Sequence, residues 1–516
     1  MGSTPRKAVR IAVLADSTLG NDSRAQRVAR AAAEAGYDVT LIGRADGRPA
    51  PVLPGVAVIT VDVPQTLFRH RTHRPRPGLR WPLAYRCAEA HRYRTAQLAV
   101  REQLLRTRAA ELDVVYRPLA RQAAARAAYT LARARYAVRR TWTRARAAQY
   151  QAAVRRRGVP DGFLDNLATA LSRLLPVRRA WRRLDPLLLD LEAAYGPVLD
   201  ERRPQLIHAR GRRVLGVALR AAVRAEAAGR TVKVLWDADE CAVLAPASSR
   251  RAAVARDADE RAHAAEADAV ITVCEAYAEQ LRTRHKLPAP PAVVLNAPKY
   301  QDRSAPRDGG GVRAACRLAP EVPLLVHSGA VAPERGLLTV VEALPKLYDL
   351  HAAFVVPEPG APYVRTLIER AAELGVAPRL HILPFVPPEE IAGFLASADI
   401  GVVPVHHLPH HEVALAARYL EYAHARLPVV VSDVRVMAAA TLSLGNGEVF
   451  RAADTADFVR AVGAVLTNRP RYRRAYERSP MLGQWSWQRQ SAPLLEVYAR
   501  LVGAPTIAGP ALLART

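Results

Sequence analysis

Short β-rich runs alternate with helix-length stretches along most of this chain, in two separate series, and that pattern restricts the fold more than any other feature. The first series reads VRIAVLA, a helix over about residues 23–35, YDVTLIG and VAVITVDV; it resumes as QLIHA, VKVLWDAD, AVITV and AVVLNA, ending at Asn296. Strands spaced by whole helices predict a parallel sheet with crossover helices. An Arg/Ala-rich helical region over about residues 66–203 interrupts the series, which reads as an insertion into one sheet domain. Residues 301–311 (QDRSAPRDGGG) have the composition of a linker. The second series is PLLVHSG, FVVPE, LHILPF, IGVVPV and PVVVSD, with helical stretches at 363–374 and 414–425. The expectation is an α/β chain with two doubly wound domains, 1–300 and 312–484. Residues 485–516 close it with a helix and tail, and an amphipathic stretch at 492–502 is placed to pack on the first domain.

Two open parallel sheets facing each other make a cleft, because ligands bind outside the carboxyl ends of strands where the crossover direction switches. That geometry suits two substrates, one per domain. At 516 residues, half of them apolar, the chain has material for large cores, and wholesale disorder is excluded. Its net charge of +27 predicts an anionic partner. Only five of the basic residues are lysines (Lys7, Lys233, Lys286, Lys299, Lys346), and arginine and alanine both have GC-rich codons, so position has to decide what the charge means. Residues 66–203 hold about 30 arginines against about 11 acids, roughly +19. There Arg126, Arg133, Arg140 and Arg144 recur beside a stripe of Tyr129 and Tyr136, a basic amphipathic helix. Three roles stay open for it: a solvated cover, a platform for an anionic membrane surface, or a nucleic-acid contact. No helix-turn-helix, zinc finger or RNP-like aromatic pattern accompanies the charge, so no specific nucleic acid is expected.

Cys87, Cys241, Cys274 and Cys316 are scattered, without CxxC or histidines at ligand spacing, which predicts neither a disulfide framework nor a zinc site and fits a reducing cytosol. Ile11 to Ala15 is too short for a secretory core, and about 18 uncharged apolar residues nowhere follow in succession. A cytoplasmic protein, peripheral on the inner face of the cell membrane, is the expectation.

In the second series Ser328-Gly329-Ala330-Val331-Ala332-Pro333-Glu334-Arg335-Gly336-Leu337 follows a strand and opens a helix. Ala398-Asp399-Ile400-Gly401-Val402-Val403-Pro404 comes next, then Ala414 to Tyr422 (ALAARYLEY) and Leu427-Pro428-Val429-Val430-Val431-Ser432-Asp433. In the first series Asn21-Asp22-Ser23-Arg24 opens a helix, and Ala267-Asp268-Ala269-Val270-Ile271-Thr272-Val273 precedes Leu295-Asn296-Ala297. This order and spacing resembles a GT-B glycosyltransferase, specifically glycosyltransferase family 4 (glycosyl transferases group 1), with two Rossmann-like domains. The ending Trp485-Ser486-Trp487 and a terminal helix crossing back are similar too. Only about residues 66–203 fall outside the resemblance.

The resemblance implies transfer of a sugar, with retention, from a nucleotide-sugar donor to a cell-envelope glycan, lipid-linked or small-molecule acceptor, as in bacterial polysaccharide biosynthesis. It implies that Arg335 and Arg418 hold the donor diphosphate, whose charge grows as the sugar leaves, with the backbones of Gly336 and Gly20 nearby. Glu421, three residues after Arg418 and so on the same helical face, would accept the ribose hydroxyls, and Glu412 is nearest to the sugar-contacting position. His208 and Asp239 are the catalytic candidates. Asp239 stands where the family often has histidine, and Ala330 where many relatives carry a further arginine. No metal or other cofactor is expected, although His406, His407, His410 and His411 crowd one loop, because side chains and a helix N-terminus supply the positive field. The rival functions are a non-catalytic binding scaffold, motivated by Asp239 and Ala330, a nucleotide-sugar epimerase, and a basic nucleic-acid binder.

Overall fold

The computed structural model describes residues 8–69, 83–115, 118–155, 185, 187–240, 244, 250–300, 310–477 and 479–504. Cys241, most of the 301–311 linker, the parts of the insertion at 70–82 and 156–184, and the tail from 505 lie outside the described residues.

The first domain is a seven-stranded sheet in the order β3-β2-β1-β4-β5-β6-β7, every pair parallel. Its strands are β1 (Arg10–Thr18), β2 (Asp38–Arg44), β3 (Val56–Val61), β4 (Leu206–Arg210), β5 (Lys233–Ala238), β6 (Ala269–Thr272) and β7 (Ala292–Val293). The second has six parallel strands in the order β10-β9-β8-β11-β12-β13. These are β8 (Leu324–Ser328), β9 (His351–Val355), β10 (Leu380–Leu383), β11 (Ile400–Val403), β12 (Val429–Ser432) and β13 (Gly447–Phe450). Strand order therefore reverses between β1 and β4 in one sheet and between β8 and β11 in the other, which creates a crevice at the carboxyl end of each.

Helix α1 (Ser23–Glu34) shows how locally the elements are specified: the Asp22 side chain accepts the Ala25 N–H at 3.0 Å as N-cap, and Ala25, Val28, Ala29 and Ala32 bury a face of small residues against the sheet. The insertion contributes α2 (Ala88–Val114), α3 (Leu119–Arg155) and α4 (Leu187–Arg202), and α5 (Arg212–Ala227) follows β4. Helix α2 packs on α4 and α5, while α3 lies outermost against α2. Glu192 of α4, fully buried, is held by Arg220 at 2.8 Å and Arg224 at 3.2 Å from α5, so the insertion returns to the sheet through a satisfied ionic contact.

In the second domain the short α6 (Leu337–Ala343) follows β8, and α7 (Ala417–His424) follows β11. The last helix, α8 (Trp487–Val502), capped by Ser486, crosses back: Trp487, Leu494, Val497 and Tyr498 join the first domain's core with Ile11, Val13 and Leu206. Burying those four side chains contributes roughly 6–10 kcal/mol before entropy is counted. Among the described residues no helix is long and apolar enough to cross a membrane.

Candidate active site

The second crevice is built by the residues after β8 and β11. Gly329 adopts φ +113°, and a Cβ there would stand 3.2 Å from Arg418 Nη2, so glycine lets the guanidinium lie against the strand end. Gly336, at φ +69°, packs on Pro404, whose carbonyl oxygen a Cβ would overlap, and this fixes the Arg335 turn on the end of β11. Tyr422 registers α7 by donating its hydroxyl to the Val326 and Val402 carbonyls (3.2 and 3.3 Å) and accepting the Ser328 N–H at 3.0 Å. Its ring occupies the space that a side chain at Gly401 would need. Asp399 accepts the Leu324 N–H at 2.9 Å and Arg313 Nη2 at 2.6 Å. The Ala-Asp-Ile-Gly motif is thus scaffold, and it places the arginines.

Arg335 and Arg418 come together there without a carboxylate in an ion pair with either, among the described residues. Burial and the neighbouring Arg335 guanidinium push Arg418 down to about 10. Histidines take the place of acids. Arg418 Nη1 lies 3.1 Å from His327 Nε2, and burial and Arg418 hold that imidazole well below its usual range. His411 donates Nδ1–H to the His406 carbonyl at 2.8 Å, which leaves Nε2 to face Arg335 Nη1 at 3.4 Å; burial pushes His411 down to about 4. Two neighbouring like charges, Arg418 buried and Arg335 half-buried, supported by neutral rings, form a site for an anion. His327 was missed from the sequence, although it lay in plain view as the residue before Ser328-Gly329; His411 was named only as one of four histidines crowding a loop, not as a neighbour of Arg335.

Glu421 sits one turn after Arg418 on α7. Burial raises its carboxyl, opposed by Arg27 of the first domain and by Arg418. Arg27 itself holds Asn296 Oδ1 at 2.9 Å and leaves its buried Nη2 without a hydrogen bond. Glu412 is not joined to this group: His407 Nδ1 at 2.6 Å and the Arg435 N–H at 2.8 Å engage its two oxygens, so the sugar-contact expectation meets a carboxylate already committed. Among the described residues no group of three or more His, Cys, Asp or Glu could hold a metal ion.

The first crevice holds a cavity of about 330 Å³ lined at the β1 and β4 ends by Asp16, Ser17, Arg210 and Gly211, and at the β5 end by Asp239 and Glu240. Asp239 pairs with Arg210 Nη1 at 2.8 Å; burial raises its carboxyl and Arg210 pulls it back down. Glu240 acts electrostatically on both Arg335 and His410, which places the cavity beside the arginines of the second crevice. Gly20 is exposed on the loop after β1, with open space where a side chain would stand.

His208 requires a correction. It lies one step deeper along β4 than Arg210, fully buried, with Nδ1 2.8 Å from Tyr498 Oη and Nε2 3.3 Å from Asp237 Oδ2, while Arg24 forks onto Asp237 at 2.7 and 2.8 Å. This network fastens α8 to the first domain, and neither His208 nor Asp237 is among the residues lining the cavity.

Residues 313–480 match the family model described as glycosyl transferases group 1. The D-inositol 3-phosphate glycosyltransferase of Nocardia farcinica is 30% identical over 244 residues, 46% of this chain and 53% of that protein. The GDP-mannose-dependent alpha-(1-6)-phosphatidylinositol monomannoside mannosyltransferase of Mycolicibacterium smegmatis is 29% identical over 206 residues, 38% of this chain and 53% of that protein. The chain thus spans about half the length of the curated relatives it matches. Among solved structures, sucrose-phosphate synthase from Thermosynechococcus elongatus superposes with a TM-score of 0.58 at 14% identity, over 96% of this chain and 99% of that one. Anabaena HepE in complex with UDP and glucose gives 0.54 at 12% identity, over 95% and 100%. These likenesses show the GT-B fold.

Proposed function

With a group 1 glycosyl transferase domain set in a GT-B fold, we propose that this chain transfers a sugar from a nucleotide-sugar donor to a hydroxyl-bearing acceptor. The observation that carries the proposal is the pair at the β8/β11 switch point, Arg418 buried and Arg335 half-buried beside it, with no carboxylate in an ion pair with either among the described residues. A departing nucleoside diphosphate gains negative charge in the transition state, so two preorganised guanidinia stabilise it more there than in the ground state. They supply the positive field themselves, and the proposal requires no metal. Glu421 accepts the ribose hydroxyls.

The acceptor occupies the first-domain cavity, where paired guanidinia and carboxylates offer donors and acceptors to a polyol; the relatives named for inositol phosphate and phosphatidylinositol mannoside act on such hydroxyl-rich molecules. Asp239, held by Arg210, orients the attacking hydroxyl on the face from which the diphosphate departs, and the departing diphosphate oxygen takes its proton. Net retention is the stereochemistry that the family resemblance supports. A cell-envelope or lipid-linked acceptor suits the basic insertion, which would attach a cytosolic enzyme to the anionic inner leaflet. A panel of UDP-, GDP- and ADP-sugars, read by mass detection of slow hydrolysis and of transfer, tests the activity. Release of one nucleoside diphosphate, lost in Arg418→Ala, is expected; a folded protein that binds no nucleotide sugar overturns it.

A further inference from the structure

Helix α3 carries nine arginines and no acidic residue, yet its outward side is not where they lie. Tyr129 and Tyr136 are half-buried on the inner side, Tyr136 donating to Glu102 Oε2 of α2 at 3.0 Å. Turning the helix at about 100° per residue puts Leu131, Ala134, Val138, Trp142 and Ala145 along one outer arc, all exposed; Leu131, Val138 and Trp142 keep 51%, 69% and 50% of their surface in solvent. Between the bordering arginines, Arg126 and Arg144 on one edge and Arg135 on the other, this arc holds over residues 127–145 only alanine, threonine and large apolar residues, and no charge. A solvated cover would show the reverse pattern, with charge outermost.

We propose that this outer face of α3 lies in the headgroup–acyl boundary of an anionic membrane, with Leu131, Val138 and Trp142 inserted and the bordering arginines on lipid phosphates. The proposal rests on the inner-leaflet attachment above and names the surface that makes it. Charge complementarity selects the occupant. A second copy would bring another row of uncompensated arginines against this one, and the stretches 70–82 and 156–184 are themselves basic. Duplex nucleic acid would satisfy the arginines but leave the apolar arc in water. An apolar face bordered by arginine, with tryptophan among its large residues, is the composition of an interfacial helix: the ring sits at headgroup depth, and the long arginine stems let the charges reach outward.

The test uses the full chain and vesicles of phosphatidylcholine with phosphatidylglycerol, some carrying brominated acyl chains. Two variants are compared with wild type, Leu131→Ser/Val138→Ser/Trp142→Ser, which keeps the charge, and Arg126→Gln/Arg133→Gln/Arg140→Gln/Arg144→Gln, which keeps the apolar arc. All the substituted positions are exposed, so both should fold, as circular dichroism and melting will verify. Expected are wild-type binding that partly survives high salt, bromine quenching of tryptophan emission, and at least a tenfold loss of partitioning with loss of that quenching in the serine variant, while nucleotide affinity holds. A serine variant that binds and quenches as wild type does overturns the insertion and leaves electrostatic attachment standing. Wild type that ignores the vesicles overturns both, and a wild-type dimer dissociated by the serine changes, without vesicle binding, gives the face to a second copy.

Discussion

At the scale of single residues, the arginine pair is a cost to the fold that only a ligand relieves. Arg418, held down at about 10 and so below the ordinary arginine range, disfavours the folded protein on the order of 3 kcal/mol at neutral pH, a penalty that in the ligand-free protein fades only as pH climbs above about 10. Arg418→Met should therefore raise Tm by a few degrees in a melting experiment while lowering kcat/KM tenfold or more, the signature of a residue kept for function rather than stability. For the same reason wild-type affinity for nucleoside diphosphate should fall as pH climbs toward 10, where the guanidinium loses its proton, and titration between pH 7 and 10 checks it. Asp239 and His208, paired in the sequence-based expectation, should now separate. Asp239→Asn should slow transfer with donor affinity intact, whereas His208→Ala should leave donor affinity intact but lower Tm, because it strips hydrogen bonds from buried Asp237 and Tyr498, at about 1–3 kcal/mol. Arg335, Arg418 and Glu421 were legible because ordered motifs announce them. The role of His208 was not: it lies inside the strand rather than at its carboxyl end, and only the packed structure shows Tyr498 of α8 covering it.

Element by element, the seven strands of the first sheet and five of the second could be read from apolar runs bounded by turns. Strand β13 escaped because Gly447-Glu448-Val449-Phe450 offers no such run, and it forms by pairing along β12. Helix α7 begins at Ala417 rather than 414, since Ala416 stays extended (ψ 138°), which puts Arg418 in the helix's first turn and facing the crevice. Helix α8 begins at Trp487, before the apolar period starts, because Ser486 caps it, and it accommodates Pro493 in its interior. The outward apolar arc of α3 was hidden by the arginine spacing and emerged only once α2 showed which side was packed. The Gly329 and Gly336 turns are the elements whose geometry matters most to the site. Gly336→Ala must both leave a left-handed φ and clear the Pro404 carbonyl, so the Arg335 turn should shift, weakening nucleotide binding at least tenfold with a loss of only about 1–3 kcal/mol in stability. Calorimetric titration and melting of the same variant would separate the two effects.

For the molecule as a whole, two reversals of strand order face one another, one ringed by paired charges and the other by guanidinia without ion-pair partners among the described residues, with α8 and the Arg24–Asp237–His208–Tyr498 network tying the end of the second domain to the first. The two-domain plan was readable from the doubled alternation alone. A division of labour, with the acceptor on the first domain and the nucleotide sugar on the second, was implied only by the family resemblance, because in physical terms it depends on which charges find partners in three dimensions. That division is the central claim, and calorimetric titration of nucleoside di- and monophosphates into wild type and Arg335→Ala/Arg418→Ala tests it most directly. Wild type should bind one nucleoside diphosphate at least tenfold more tightly than its monophosphate, and the double variant should lose that preference while remaining folded. A double variant that binds the diphosphate as tightly as wild type would contradict it.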